Sequence, residues 1–261
     1  MRIIAPLAAL ALMIGATAMA AEDDVMRQLA PTGRLRVGVA YAPAATPLFV
    51  VKDAAGDVRG VPRDLGALLA GELGAPAEII VAANTGELTE ACKSGRIDIG
   101  FMPADDDRRK ALDFSPPYFV IESTYLVGGS TDIKSLAEID RSDVSVVGIA
   151  GSATARAASR TLKVAKLVLA NSVDEAMAMM KAGTAQAFAL THDALPSLQK
   201  QLPGSRILDG AFQTTGVAIS VRKDRPAALA FITGFMENAK ANGAVRRAFD
   251  DAGLKQLPVA P

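Results

Sequence analysis

Three consecutive cations, Arg108, Arg109 and Lys110, precede Ala111-Leu112 and then Asp113-Phe114-Ser115-Pro116-Pro117-Tyr118-Phe119. A guanidinium fork fits a planar carboxylate and stays charged at any relevant pH, although the ordinary role of an arginine is a solvated surface cation. Further along, Gly151-Ser152-Ala153-Thr154 opens a predicted helix. Its first backbone N–H groups and the positive end of its dipole suit an anion, and Ser152 can add a hydroxyl donor or act as a plain N-cap. This is chemistry for holding a carboxylate. No Ser-His-Asp set, glycine-rich phosphate loop or metal cluster accompanies it, so no catalytic residue, metal or other cofactor is expected. His192 and Cys92 are the only histidine and cysteine and lie far apart. Cys92 therefore has no intrachain disulfide partner, and its place on a predicted helix face makes it a buried, inert thiol. Asp105-Asp106-Asp107 could suggest a divalent cation. Directly before three cations, the run reads instead as a charge-compensated solvated loop, with one aspartate capping the next turn.

The elements that must position these groups follow from periodicity. Residues 34–40 read as a buried first strand, with Leu35, Val37 and Val39 alternating. Pro43 and Pro47 mark a turn-rich segment, and Gly56 a hairpin-type turn within 52–57. A helix is predicted over 63–73 and a short strand at 79–81. A second helix, capped at Asn84 or Thr85 with Glu87 closing a capping box, ends at Gly95 before a strand at 97–101. The second half repeats the pattern: Ser172 with Glu175 caps a helix that stops at Gly183 before a strand at 185–190. The two helix-Gly-strand units lie 88 residues apart. Met177, Met179 and Met180 read as helix packing rather than a ligand set. Strands alternating with helices imply α/β lobes with mostly parallel sheets and a binding cleft at strand carboxyl ends.

The chain has 261 residues, half of them hydrophobic, enough for one large domain or two lobes. Residues 1–20 read as a secretory signal: Arg2 is its only charge, Leu7 to Ile14 are apolar, and Ala18-Met19-Ala20 has the small-x-small cleavage form. No cysteine follows it to carry a lipid. Cleavage removes Arg2 and leaves 27 basic against 28 acidic side chains, a net charge of −1. That balance argues against nucleic acid or an anionic membrane as partner.

From Arg108 to Phe119 the chain closely resembles the bacterial extracellular solute-binding proteins of family 3, the binding components of polar amino-acid ABC importers. Gly60-Val61-Pro62-Arg63-Asp64-Leu65, Lys93-Ser94-Gly95-Arg96-Ile97-Asp98, Gly151-Ser152, the strand Thr215 to Lys223 and Asn242-Gly243 match further family elements in order. The resemblance covers almost all of the chain after residue 20. It implies a two-lobed α/β, type II periplasmic binding protein-like fold with two hinge crossings, at Tyr125-Leu126-Val127 and Thr215-Gly216-Val217-Ala218. Lobe 1 would comprise 21–125 and 216–261, with lobe 2 at 126–215 and the C-terminal helices packing back on lobe 1. It also implies that Arg108 holds a ligand carboxylate in the cleft.

Departures from the pattern bear on the ligand. Pro103 stands where amino-acid binders carry Ser or Thr, and Thr191 where they carry the aspartate that pairs with an α-ammonium. Asp193 or Glu122 could compensate. Thr46 and Thr85 fall near aromatic-platform positions. The candidate ligand contacts are Arg108, Ser152, Ala153, Thr191, Asp193, Met102, Glu122, Thr46 and Thr85. The expectation is a monomeric periplasmic protein that captures a small polar carboxylate, an amino acid or related compound, and delivers it to an inner-membrane ABC permease. The alternatives are a dehydratase of the cyclohexadienyl dehydratase type, with Glu122 or Asp193 as general acid, and a binding or accessory protein uncoupled from a transporter.

Overall fold

The computed structural model describes residues 22–41, 48–53 and 55–261. The leader reading at 1–20, the turn prolines Pro43 and Pro47, and Thr46 lie outside them. After a helix over 22–29 (α1), the first half runs β1 (Leu35–Ala40), β2 (Val51–Lys52), β3 (Val58–Arg59), α2 (Val61–Leu73), β4 (Ala77–Ala82), α3 (Thr85–Lys93), β5 (Ile99–Pro103), α4 (Asp106–Arg109) and β6 (Leu112–Phe114). The long strand β7 (Phe119–Val127) leads to β8 (Ser145–Ile149), α5 (Ala153–Thr161), β9 (Lys166–Ala170), α6 (Val173–Lys181), β10 (Ala187–Thr191), α7 (Leu195–Gln199) and β11 (Arg206–Ile207). The chain returns on β12 (Gln213–Arg222) and ends in α8 (Pro226–Ala241) and α9 (Ala244–Asp251).

Ten strands form one continuous sheet: eight follow the order β4-β1-β5-β12-β7-β10-β8-β9, while β6 pairs with β12 and β11 with β7. β1, β4 and β5 pair in parallel at one end, and β8, β9 and β10 do so at the other. The central strands β12 and β7 are antiparallel to each other and to their outer neighbours β5 and β10. They carry the chain from one lobe to the other. Phe119 and Ile121 of β7 sit in the first lobe's core, whereas Tyr125, Leu126 and Val127 sit in the second lobe's. Because side chains alternate along a strand, Leu126 enters one second-lobe cluster and its two neighbours the other. Helices therefore cover both faces of each lobe.

Local signals account for the elements. Asn84 caps α3, accepting from the N–H groups of Gly86 and Glu87, while the Glu87 carboxylate accepts from Ala83 N–H. Ser172 and Glu175 repeat the arrangement at α6, with Glu175 accepting from Asn171 N–H. Gly95 and Gly183 both stop their helices in the left-handed region, at φ 74° and 71°. Met177 and Met180 are buried against Val147 and Phe188, and Met179 packs beside them. Cys92 is buried, and burial pushes its thiol up to about 11. Asp98, from the Ser-Gly-x-x-Asp element, ties β5 to β1 by accepting two hydrogen bonds from the Arg36 guanidinium (2.9 and 2.6 Å) and one from its backbone N–H.

α8 and α9 pack on the first lobe through Ile232, Phe235, Met236, Val245 and Phe249. Tyr118 lies between Phe101 and Phe249 in edge-on contacts of 5.9 and 6.3 Å. Its hydroxyl is buried without a hydrogen-bond partner among the described residues, and burial drives the phenol well above its usual range. Leaving such a group unsatisfied costs about 1–3 kcal/mol. Tyr118→Phe should therefore raise Tm, and an unchanged or lower melting point would show that the hydroxyl does find a partner.

Candidate functional site

A cavity of about 320 Å³ lies where the two lobes face one another. The first lobe contributes Ala40, Tyr41, Phe49, Pro103 and Ile121, and the second Ile149, Ala153, Val173, Leu190 and Ala194. Polar groups enter chiefly at helix starts: Asn84 and Thr85 at α3, Ser152 and Thr154 at α5, and Asn171, Ser172 and Asp174 at α6. Three helix N-termini thus converge on one space and bring partial positive charge to it, with Asp174 the one charged side chain among the described lining residues. Much of the side-chain polarity is already engaged. Asn84, Ser152 and Ser172 cap their own helices, and Thr154 shares a 2.9 Å hydrogen bond with Ser123.

Of the residues predicted from sequence, Ser152, Ala153, Thr85 and Thr191 line the cavity. Met102 does not: it is fully buried in the cluster beneath, with Phe49, Leu88 and Cys92. Glu122 is exposed on β7 and Asp193 half-buried, and neither is among the lining residues. His192 is exposed.

Arg108 is positioned differently from the sequence expectation. It is 2 % exposed and is not among the residues that line the cavity. Its Nε donates to Thr89 Oγ1 (2.7 Å), Nη1 to the Pro103 carbonyl (3.1 Å) and the Asp105 carboxylate (2.9 Å), and Nη2 to the carbonyls of Thr85 (3.0 Å) and Gly151 (3.2 Å). All five donors of the fork are used by the protein. Burial is the main cause that lowers its pKa to about 10, with help from the Arg156 charge, and it remains a cation at neutral pH.

The acidic run also departs from expectation. Asp105 is not solvated: it caps α4 from a buried position and bridges Arg108 to Arg156 of the second lobe. Arg156 grips it bidentately, Nε to Oδ1 at 3.2 Å and Nη2 to Oδ2 at 2.5 Å. Asp107, on the surface, faces Arg160 at 3.2 Å and Arg156 at 3.7 Å. The closed lobes are thus joined by an ion-pair network that no local motif announces, the positions being 51 and 53 residues apart.

Burial would raise the Asp105 carboxyl, but the hydrogen bond from Arg156 and the charges of Arg108 and Arg156 outweigh it and hold the group below its ordinary 3.8. A lowered value in the closed state stabilises that state fully above the ordinary value, and the contribution fades as pH falls through the lowered one. Acidification of the ligand-loaded protein below about pH 4 should therefore open the lobes, read as a rise in radius of gyration by X-ray scattering. Asp105→Asn should remove that pH dependence, and a wild-type radius that stays flat would show that the network does not hold the lobes.

Two further contributors carry a signal in the sequence. Ser172 and Val173 occupy positions 88 residues beyond Asn84 and Thr85, so the repeat itself pointed to α6 once α3 faced the cleft. Arg156 and Arg160 sit one helical turn apart on α5, a spacing that puts both on one face.

Comparison with known proteins agrees with this architecture. Residues 35–252 match the family model of bacterial extracellular solute-binding proteins, family 3. The glutamine-binding protein of Geobacillus stearothermophilus is 27 % identical over 219 residues, 80 % of each chain. A solved receptor for L-cysteine from Neisseria gonorrhoeae superimposes with a TM-score of 0.77 at 20 % identity, covering 88 % of this chain and 97 % of its own. An ancestral amino acid-binding protein described as a precursor of cyclohexadienyl dehydratase gives 0.72 at 26 % identity, covering 88 % and 98 %. Matched along nearly its whole described length, the chain belongs to the bacterial extracellular solute-binding proteins, family 3.

Proposed function

We propose that the protein is a periplasmic, monomeric binding protein that closes its two lobes on a small molecule and presents it to an inner-membrane ABC permease. Residues 1–20 serve as its cleaved leader. The observation that carries this reading is a ligand-sized cavity whose walls come from both lobes, flanked by ion pairs that join one lobe to the other. Closure and capture are then one event, because the cavity and the network are completed together. Family membership and relatives whose names describe amino-acid binding support the same role. The carboxylate contact expected of Arg108 is the part this geometry supports least, since its donors are already taken.

The test is to denature the purified protein, identify the small molecules released, and return them to refolded protein while recording its radius of gyration. Contraction with one-to-one binding is the expected result. Binding without any contraction would overturn capture by closure. A dehydratase reading is weaker, because Glu122 is exposed and Asp193 lies outside the cavity lining, which leaves neither acid placed to meet a substrate there. Turnover of prephenate would reverse that preference.

A further inference from the structure

We propose that the cleft selects an amino acid with a cationic side chain, and that Asp174 is the residue that reads that charge. The proposal rests on the capture role given above and concerns what is captured.

Asp174 is the one charged side chain among the described residues that line the cavity, and no basic group among them is paired with it. It stands in the first turn of α6 beside Glu175, whose carboxylate turns back to accept from the Asn171 N–H. Two full negative charges outweigh the roughly half positive charge of a helix start, so this side of the cavity favours a cation. Lys52, which lies 5.8 Å from the Tyr41 ring centroid, is not among the lining residues and does not neutralise it there.

The place for an anion is elsewhere. Ser152, Ala153 and Thr154 open α5 on the cavity wall, where the backbone N–H groups of a first helical turn suit a carboxylate. α5 and α6 pack on opposite faces of the second lobe's sheet. Ala158 of α5 joins Val146, Ala187 and Ala189 on one face, and Met177 of α6 joins Val147 and Phe188 on the other. The two helix starts therefore approach the cavity from two sides. An α-ammonium sits one carbon away from its own carboxylate and does not bridge them, whereas a cation on a flexible four-carbon stem such as that of lysine does. Tyr41, Phe49, Ile149, Val173 and Leu190 supply ring and aliphatic wall for such a stem. Thr191, buried in the wall, leaves a neutral hydroxyl for the α-ammonium, so the lining's negative charge stays on the Asp174 side. A volume of about 320 Å³, at the small end of the roughly 300–1,000 Å³ range for ligand pockets, suits one amino acid of this length.

The test is calorimetric titration of the chain from residue 21 onward with L-arginine, L-lysine, L-glutamine and L-citrulline, the last an uncharged near-isostere of arginine. Arginine should bind about fivefold tighter than citrulline, the upper range for an ion pair open to water. Added salt should weaken arginine more than citrulline. In Asp174→Asn the arginine-to-citrulline ratio should fall close to one at an unchanged Tm, because the side chain is exposed. Wild-type binding of citrulline or glutamine as tight as that of arginine would overturn the cationic preference and leave capture by closure standing. A preference that survives Asp174→Asn would overturn the role of Asp174. Failure of all four to bind would overturn the inference, while the capture role would still be judged by the small molecules released on denaturation.

Discussion

Replacing Asp105 with alanine should destabilise the protein by about 3–5 kcal/mol, the usual consequence of removing one partner from a buried ion pair. For a chain of this length that is a fall in Tm of roughly 6–20 °C. The effect is large because one carboxylate serves three structures at once. It caps α4 through the N–H groups of Asp107 and Arg108, accepts from the Arg108 fork, and receives both the Nε and Nη2 donors of Arg156. Without it the Arg108 guanidinium stays buried against carbonyls and a hydroxyl, with no acid in contact. Arg156→Ala offers the contrast. Its side chain is 27 % exposed, so water can replace the lost contact, and the expected result is an opened molecule with little loss of Tm. Urea unfolding and X-ray scattering on both variants and the double variant separate the two roles. The double variant should cost less than the sum of the singles, because the residues share one network. A loss of under about 1 kcal/mol in Asp105→Ala would show the pair to be no better than a surface contact.

The parts of this molecule legible in the sequence are those written locally. Asn84-x-x-Glu87 and Ser172-x-x-Glu175 fix two helix starts through contacts three or four residues apart, and Gly95 and Gly183 fix their ends. Repetition of that unit, with the ordered family elements, was enough to infer two α/β lobes. The site was harder to read because its deciding contacts are distant. The acceptors of the Arg108 fork at Thr89, Thr85 and Gly151 lie 19, 23 and 43 residues away. No spacing rule separates an arginine that faces a ligand from one that faces three such groups. The aspartate run shows the same limit, since three identical neighbours give no sign that Asp105 is buried and Asp107 solvated. The continuous sheet follows from the antiparallel pairing of β7 with β12, whose partners Phe119 and Val217 are far apart in the chain.

Gly86→Ala should weaken closure while leaving the open protein as stable as before or slightly more so, a combination that isolates the lobe contact from the fold. The two backbones meet here with no room between them. A Cβ at Gly86 would lie 2.9 Å from the Gly151 Cα and 3.3 Å from its carbonyl oxygen. These are backbone atoms of the opposite lobe, so relief from them must come from moving the lobes, whereas Asn84 Oδ1, 3.1 Å away in the same lobe, is a side-chain atom that can give way. Gly86 is within α3 and has an ordinary helical backbone, so alanine there gains up to about 1 kcal/mol in helix propensity. Overpacking of this kind costs about 1–3 kcal/mol in the closed form, a shift of roughly 5–150-fold toward the open one. The expected observations are a larger radius of gyration at neutral pH, weaker ligand binding by a similar factor, and an unchanged or higher melting point without ligand. Gly151→Ala should close even less well, because its Cβ would come within 2.7 Å of Gly86. It should also lose stability, since Gly151 has φ 68°, a conformation costing an L-residue about 1–2 kcal/mol. If Gly86→Ala bound ligand as tightly as wild type and kept its radius, the two glycines would not be the surfaces on which the lobes come to rest. The Arg108 contact to the Gly151 carbonyl would then lose its place as part of the closing mechanism, because that carbonyl belongs to the residue on which Gly86 packs.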